Sequence, residues 1–230
     1  MYFIMSKFFR TDFLFGLILF APFAGMAQVN DAGLWASVNV EKKFTTKISM
    51  HVNVESRLNE NFSELGTFYT ELIGEYKYNK IFSISGGYRF IQKRNVDDSY
   101  STRHRYLVNL NVRHKLANFA ANARIRFQSQ YADINSSEDG QTPSNYLRPK
   151  LALKYDLQKK YTPFVSGELF FHLNSEEGFL FDNYRLSAGI EYEFSKKSTI
   201  EVGYLIDREI QITNPLTSYV IVVGWNYVFK

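Results

Sequence analysis

The 230-residue chain contains no cysteine. It can therefore be neither a lipoprotein nor a small secreted domain stapled by disulfides. Proline is scarce, with five residues, and tryptophan scarcer, with two, although tyrosine (16) and phenylalanine (21) abound. Beyond the N-terminal region no run is apolar enough to cross a bilayer as a helix, which takes about 20 residues. If the protein lies in a membrane it must do so as a closed barrel, because lipid cannot satisfy open backbone groups. No Walker, glycine-rich nucleotide or HxxEH-type motif occurs, and no His/Asp cluster has metal-ligand spacing. The net charge of +4 is mild. Its charges are spaced by strand alternation and not gathered into a patch, which argues against nucleic acid as a partner.

The N-terminus reads as an export signal. Lys7 and Arg10 form a basic region, residues 13–23 an apolar run, and Gly25-Met26-Ala27 supplies small residues before a mature start at Gln28. A membrane-anchoring helix is the rival reading. The apolar run is too short for it, and Asp12 and Pro22 interrupt its flanks. Residues 1–27 are thus expected to be cleaved, leaving 28–230 as one domain.

What the remainder has in quantity is two-residue alternation. Residues 184–194 show it best: Tyr184, Leu186, Ala188, Ile190, Tyr192 and Phe194 share one parity, and Arg185, Ser187, Gly189, Glu191 and Glu193 the other. In a strand these sets lie on opposite faces, one apolar with aromatic ends, one polar. Eleven segments behave this way, at 34–44, 48–58, 68–78, 82–90, 103–116, 121–128, 147–157, 163–173, 184–194, 200–209 and 219–229. Short polar turns, as at Asn79-Lys80 and Lys196-Lys197, alternate with longer connections at 59–64, 92–101, 130–145, 174–183 and 211–217. Short turns on one rim and long loops on the other is the arrangement of outer-membrane barrels.

The expected fold is all-β, an antiparallel transmembrane up-and-down β-barrel of about 10–12 strands. Antiparallel closure needs an even number, so eleven segments do not close. Either 34–44 lies outside the wall, or an irregular stretch such as 174–183 or 28–33 supplies a twelfth strand. A soluble sandwich or lipocalin-like barrel, with the apolar face as core, is the rival architecture. Segments of about ten residues suit a tilted membrane strand. Aromatics toward segment ends suit interfacial girdles, and Tyr184, Phe194, Trp225, Tyr227 and Phe229 with mid-strand Ile190 are the expected lipid-facing set. An aromatic-rich last strand ending at Phe229-Lys230 also suits recognition by a barrel-assembly machinery. Outer-membrane lipid and that machinery are the expected partners, and no cofactor is expected.

The pairs Leu34-Trp35, Glu55-Ser56-Arg57, Gly87-Tyr88-Arg89 and Asn183-Tyr184-Arg185 with Gly189 resemble the barrels grouped as domain of unknown function 2490. The resemblance covers essentially the whole mature chain. It implies a bacterial outer-membrane barrel without an assigned activity, and it carries over no catalytic residues.

With the apolar face outward, the polar face lines a lumen. Arg89, Arg105, Arg113, Arg124, Arg126, Arg148, Lys150 and Lys154 then form a basic wall from consecutive middle strands, joined by Arg103. Glu55, Glu71, Glu75, Glu168, Glu191, Glu193, Glu201 and Asp207 form acidic flanks that meet once the cylinder closes. Arg185 is the odd cation on the acidic side, to be held by Glu168 or Asp207. Either these charges fill the lumen as a structural salt-bridge network, or they line a narrow channel for small polar solutes; Arg suits both, since its fork pairs bidentately with carboxylates. A lipid-modifying enzyme is a further alternative. Glu168, His172 and Ser175 could be imagined as a triad, but His172 and Ser175 have opposite parity, which argues against it. The acidic Glu138-Asp139 loop reads as solvated in preference to a weak calcium site.

Overall fold

β-branched and aromatic side chains at alternate positions fit a pleated sheet packed on one face, and they recur often enough here for one sheet to close on itself. The computed structural model describes residues 29–132, 143–157, 159–211 and 214–229. The proposed signal (1–27), the Glu138-Asp139 segment and Lys230 lie outside the described residues. Eleven strands form a closed barrel with no helix among the described residues: β1 (Val29–Lys43), β2 (Ile48–Asn59), β3 (Glu64–Lys77), β4 (Phe82–Arg94), β5 (Tyr100–Leu116), β6 (Phe119–Tyr131), β7 (Ser144–Tyr155), β8 (Tyr161–Ser175), β9 (Gly178–Ser195), β10 (Ser198–Glu209) and β11 (Leu216–Phe229).

Each strand pairs antiparallel with its neighbour in sequence, and the barrel closes where β1 meets β11 in parallel, from Val29 beside Leu216 to Lys42 beside Phe229. The strand number thus falls within the expected range, but the expectation of an even, wholly antiparallel wall does not hold. In an up-and-down sheet the first and last of eleven strands necessarily run the same way, so the closing pair must be parallel. Residues 34–44 are in the wall, residues 29–33 lengthen β1, and 174–183 lengthen β8 and β9 without adding a strand.

The strands run from 12 to 18 residues, longer than the alternating segments, because pairing continues past the apolar stretch toward the loop rim. The long connections accordingly shrink. β8 and β9 are joined by Glu176-Glu177 alone, and β2 and β3 by residues 60–63. Glu60, Asn61 and Phe62 all take left-handed backbone there (φ 51°, 55° and 71°). The connection is fastened to β1: Asn61 N–H donates to Asp31 Oδ1 (3.1 Å) and Phe62 N–H to the Ala32 carbonyl (3.2 Å).

The two faces of the wall are sorted by parity. All eleven strands put large apolar side chains on the outer surface, among them Val38, Val52, Leu72, Ile84, Leu110, Ile125, Leu151, Val165, Ile190, Val202 and Ile221. Arg, Glu, Asn and Gln side chains point inward, so Glu71, Arg89, Asn109, Arg126, Gln128, Arg148 and Glu168 are among the most buried residues. This is the reverse of a lipocalin-like barrel, where the apolar face forms the core. A small inward apolar sector remains, at Leu107, Leu205 and Val220.

Two backbone features shape the interior. The β7–β8 ladder breaks between Leu147↔Phe171 and Lys150↔Glu168, where Pro149 lacks the N–H a ladder needs. Gly189 and Gly203 face each other across β9 and β10, and the Phe164 ring lies over both. A Cβ on Gly189 would stand 2.5 Å from the Val202 carbonyl and 2.8 Å from Phe164, whereas one on Gly74 would meet nothing within 4 Å. Gly189→Val is therefore expected to cost about 1–3 kcal/mol by overpacking, and Gly74→Val to stay within about 0.5 kcal/mol of wild type. Denaturant unfolding of the two variants measures the difference, and equal midpoints would contradict the close packing described.

Candidate functional site: the charged barrel interior

Arginine on a strand projects a planar fork far enough to cross half a small barrel, so inward charges on different strands can meet. Two cavities of about 520 Å³ each occupy the interior. All eleven strands contribute to the first, which extends toward the loop rim through Tyr146 and Asp182. The second lies toward the short-turn rim, between Lys77, Asn79 and Arg113. Arg124 and Arg126 line both cavities and form the waist between them.

The acidic flank near the closing seam is tightly organised. Arg57 Nε donates to Glu55 Oε1 (2.6 Å), and the Tyr69 hydroxyl donates to Glu55 Oε2 (2.7 Å). The Arg57 guanidinium also stacks 3.7 Å from the Trp35 ring centre, and Arg89 lies 3.8 Å over Tyr69 while donating to Glu71 (2.5 and 2.6 Å). Arg148 covers Phe170 at 4.0 Å. Arg185 is held by Asp207 at 2.5 Å, the second of the two partners expected for it, and by the rings of Trp35 and Phe170. Inward-facing aromatics thus shelve the guanidiniums, and such contacts strengthen when desolvated.

Glu168 is the central carboxylate of the basic side. Buried on β8, it receives Arg124 at 2.5 Å and Arg148 at 3.0 Å. Lys154 is held by Glu191. Three further arginines are bound by neutral groups: Arg126 donates to Asn109 Oδ1 (2.7 Å), whose amide in turn donates to Ser85 (2.9 Å). Arg105 donates to Gln130, and Arg113 to Asn122 (2.8 Å). The register sets cations directly side by side, Arg89 beside Arg105, Arg124 beside Lys150 and Arg126 beside Arg148. On the other wall Glu191 stands beside Glu201.

The first cavity is lined by Arg89, Arg105, Arg124, Arg126, Arg148 and Lys150 together with Glu55, Glu71, Glu168 and Glu201. Arg113, Lys154 and Glu75 line the second, where Glu75 also accepts from Ser49 (3.3 Å). Glu193 lies in neither cavity, because it sits at the end of β9 beside the Lys196-Lys197 turn and is exposed. On the outer surface Ile190, Phe194, Trp225 and Phe229 are exposed, and Tyr184 and Tyr227 are half-buried. Tyr227 is flanked by Trp225 (5.9 Å) and Phe229 (4.7 Å), and Trp225 Nε1 donates to Ser198 Oγ (2.7 Å).

The sequence reading assigned no role to Trp35, Tyr69, Phe170, Gln128 or Gln130. Their signal was parity: each shares its strand's polar-face set, and an aromatic among inward charges marks a shelf for a cation. Glu168, His172 and Ser175 do not form a relay. Glu168 is taken by two guanidiniums, His172 stacks on Tyr146 at 4.5 Å, and Ser175 Oγ donates to the Gly178 carbonyl (2.7 Å). Among the described residues no three His, Asp or Glu side chains converge as ligands for a cation.

Removing the charge of Glu168 leaves the buried Arg148 and the half-buried Arg124 without their carboxylate. Glu168→Gln is expected to cost about 3–5 kcal/mol, whereas Lys115→Gln, at the exposed Lys115–Asp156 pair (3.2 Å), should cost under about 1 kcal/mol. Comparing their unfolding free energies tests whether Glu168 organises the basic wall, and a small Glu168 effect would show that it does not.

No curated protein matches this chain. The model of one family, described as a protein of unknown function (DUF2490), matches residues 32–216, a span from the first strand to the start of the last. The chain therefore belongs to the DUF2490 family of proteins of unknown function.

Proposed function

We propose that this protein is an integral β-barrel of a bacterial outer membrane, exported by a cleaved N-terminal signal, with an interior bridged by an Arg/Glu network. The observation that carries the reading is the outer surface: every strand exposes large apolar side chains there, with charges confined to the interior and rims. Soluble monomers rarely expose a continuous apolar patch beyond a few hundred Å². A belt around a whole barrel is the surface that lipid covers. Trp225, Tyr227, Phe229 and Phe194 toward the short-turn ends of their strands supply the aromatic girdle such a belt carries. The two like cavities meeting at Arg124 and Arg126 support a second reading, restricted passage of small polar solutes through a charged waist.

Native protein is expected to fractionate with outer membranes and to migrate differently on gels before and after boiling; recovery in the soluble periplasmic fraction would sink the membrane reading. Ile190→Arg, at an outward mid-strand position, is expected to cost about 2–4 kcal/mol in a bilayer, and Glu191→Gln less. Refolding equilibria in lipid vesicles measure both, and the opposite order would contradict the assignment of faces. Planar-bilayer recording separates the two readings of the interior. Small steady openings that widen in Arg124→Ala and Arg126→Ala support passage, and silence in wild type and variants alike supports a filled barrel.

A further inference from the structure

The basic wall is over-supplied with charge. On β4 to β7 it places Arg89, Arg105, Arg124, Arg126, Arg148 and Lys150 around the first cavity, paired cation beside cation across the strands. Like charges directly opposite each other on a sheet are destabilising. Two carboxylates answer these six cations: Glu71 takes Arg89, and Glu168 is shared by Arg124 and Arg148 and stands opposite Lys150 in the β7–β8 ladder. Among the described residues, none offers a carboxylate within 4.0 Å of Arg105, Arg126 or Lys150. Arg105 and Arg126 make their hydrogen bonds to the neutral amides of Gln130 and Asn109, and Arg126 is 6 % exposed. Arg124 Nε is buried with no acceptor.

We infer that this waist is a binding site for a soluble oxyanion, a phosphate, sulfate or small carboxylate compound, held between Arg124, Arg126 and Lys150, which the register sets at adjoining positions of β6 and β7. Its physical basis is the cost of an unanswered buried cation. Packing fails to relieve that cost here, because the space in front of these groups is open, at about 520 Å³, a volume typical of small-molecule sites. Guanidinium forks match the paired oxygens of phosphate and carboxylate, and Lys150 adds a mobile point charge. Glu201, across the same cavity and beside Glu191, repels an anion from the far wall and confines it to the basic side. The inference goes beyond the membrane reading and stands on the interior alone.

The test uses the refolded full barrel in detergent micelles, so that it does not depend on insertion into a bilayer. Inorganic phosphate, compared with chloride at matched ionic strength, is expected to give a saturable calorimetric titration and to raise the urea midpoint of unfolding. Arg126→Gln and Lys150→Gln should each weaken that affinity about tenfold or more, the loss of one charge-assisted hydrogen bond, and Lys115→Gln should leave it unchanged. Without phosphate, the two interior variants should unfold at no lower urea than wild type, since each removes one charge from a wall on which six cations share two carboxylates; a purely structural role would lower both. If Arg126→Gln does not refold, Lys150→Gln carries the comparison. Lipid phosphate in mixed micelles cannot enter the interior and should leave the midpoint unmoved. A phosphate effect no larger than that of chloride, one retained in both interior variants, or one seen only with lipid phosphate would each overturn the site.

Discussion

A one-residue slip in any strand would exchange its charged face for its apolar one, and the rest of this structure depends on that constraint. Each of the eleven strands holds one register from rim to rim, with shifts confined to the ends of β2, β8 and β10. Register is fixed twice over. On the outside it gathers the apolar side chains into a continuous belt; on the inside it brings Arg124 and Arg148 to the same carboxylate. A slipped strand would put guanidiniums outward and leave Glu168 buried without a partner, so the two penalties add.

Closure brings a second constraint. Because the strand number is odd, the seam between β1 and β11 is parallel, a pairing slightly weaker per residue than the antiparallel kind. The residues around it compensate. The inner side of the seam sets Trp35 beside Val222, with Val220 and Leu205 buried nearby. The Arg57 and Arg185 guanidiniums both lie over the Trp35 ring, 3.7 and 4.7 Å from its centre. The cation shelf therefore ties β2 and β9 across the seam through one indole, and side-chain contact supplements the parallel ladder there.

The interior combines paired charges with two cavities of about 520 Å³ each. On its acidic flank Glu55 is taken by Arg57 and Tyr69 and Asp207 by Arg185, while Glu201 stands beside Glu191. On its basic flank six cations share two carboxylates, and Arg124 and Arg126 lie where the two cavities meet. Charge imbalance and open volume thus coincide at one level of the barrel. That coincidence connects the proposed barrel to the chemistry of a small anionic ligand.

The sequence by itself determined the faces. Alternation in 184–194 sets Ile190 and Glu191 on opposite faces because side-chain direction on a strand has a strict period of two, and the closed barrel then turns the Ile190 face outward. The segments that became strands were legible for the same reason, as were the walls of like charge. Strand ends were not, since β8 and β9 continue through 174–183 by pairing with each other, a gain that no local composition reveals. Nor was the closure: alternation is silent about direction, and only the assembled sheet shows that β1 meets β11 in parallel. Which carboxylate answers which cation was likewise a tertiary decision. Arg185 could have turned to its β8 neighbour Glu168 or to Asp207 on β10. Glu168 was already committed to Arg124 and Arg148, partners 44 and 20 residues away that the pairing of β6, β7 and β8 brings within reach.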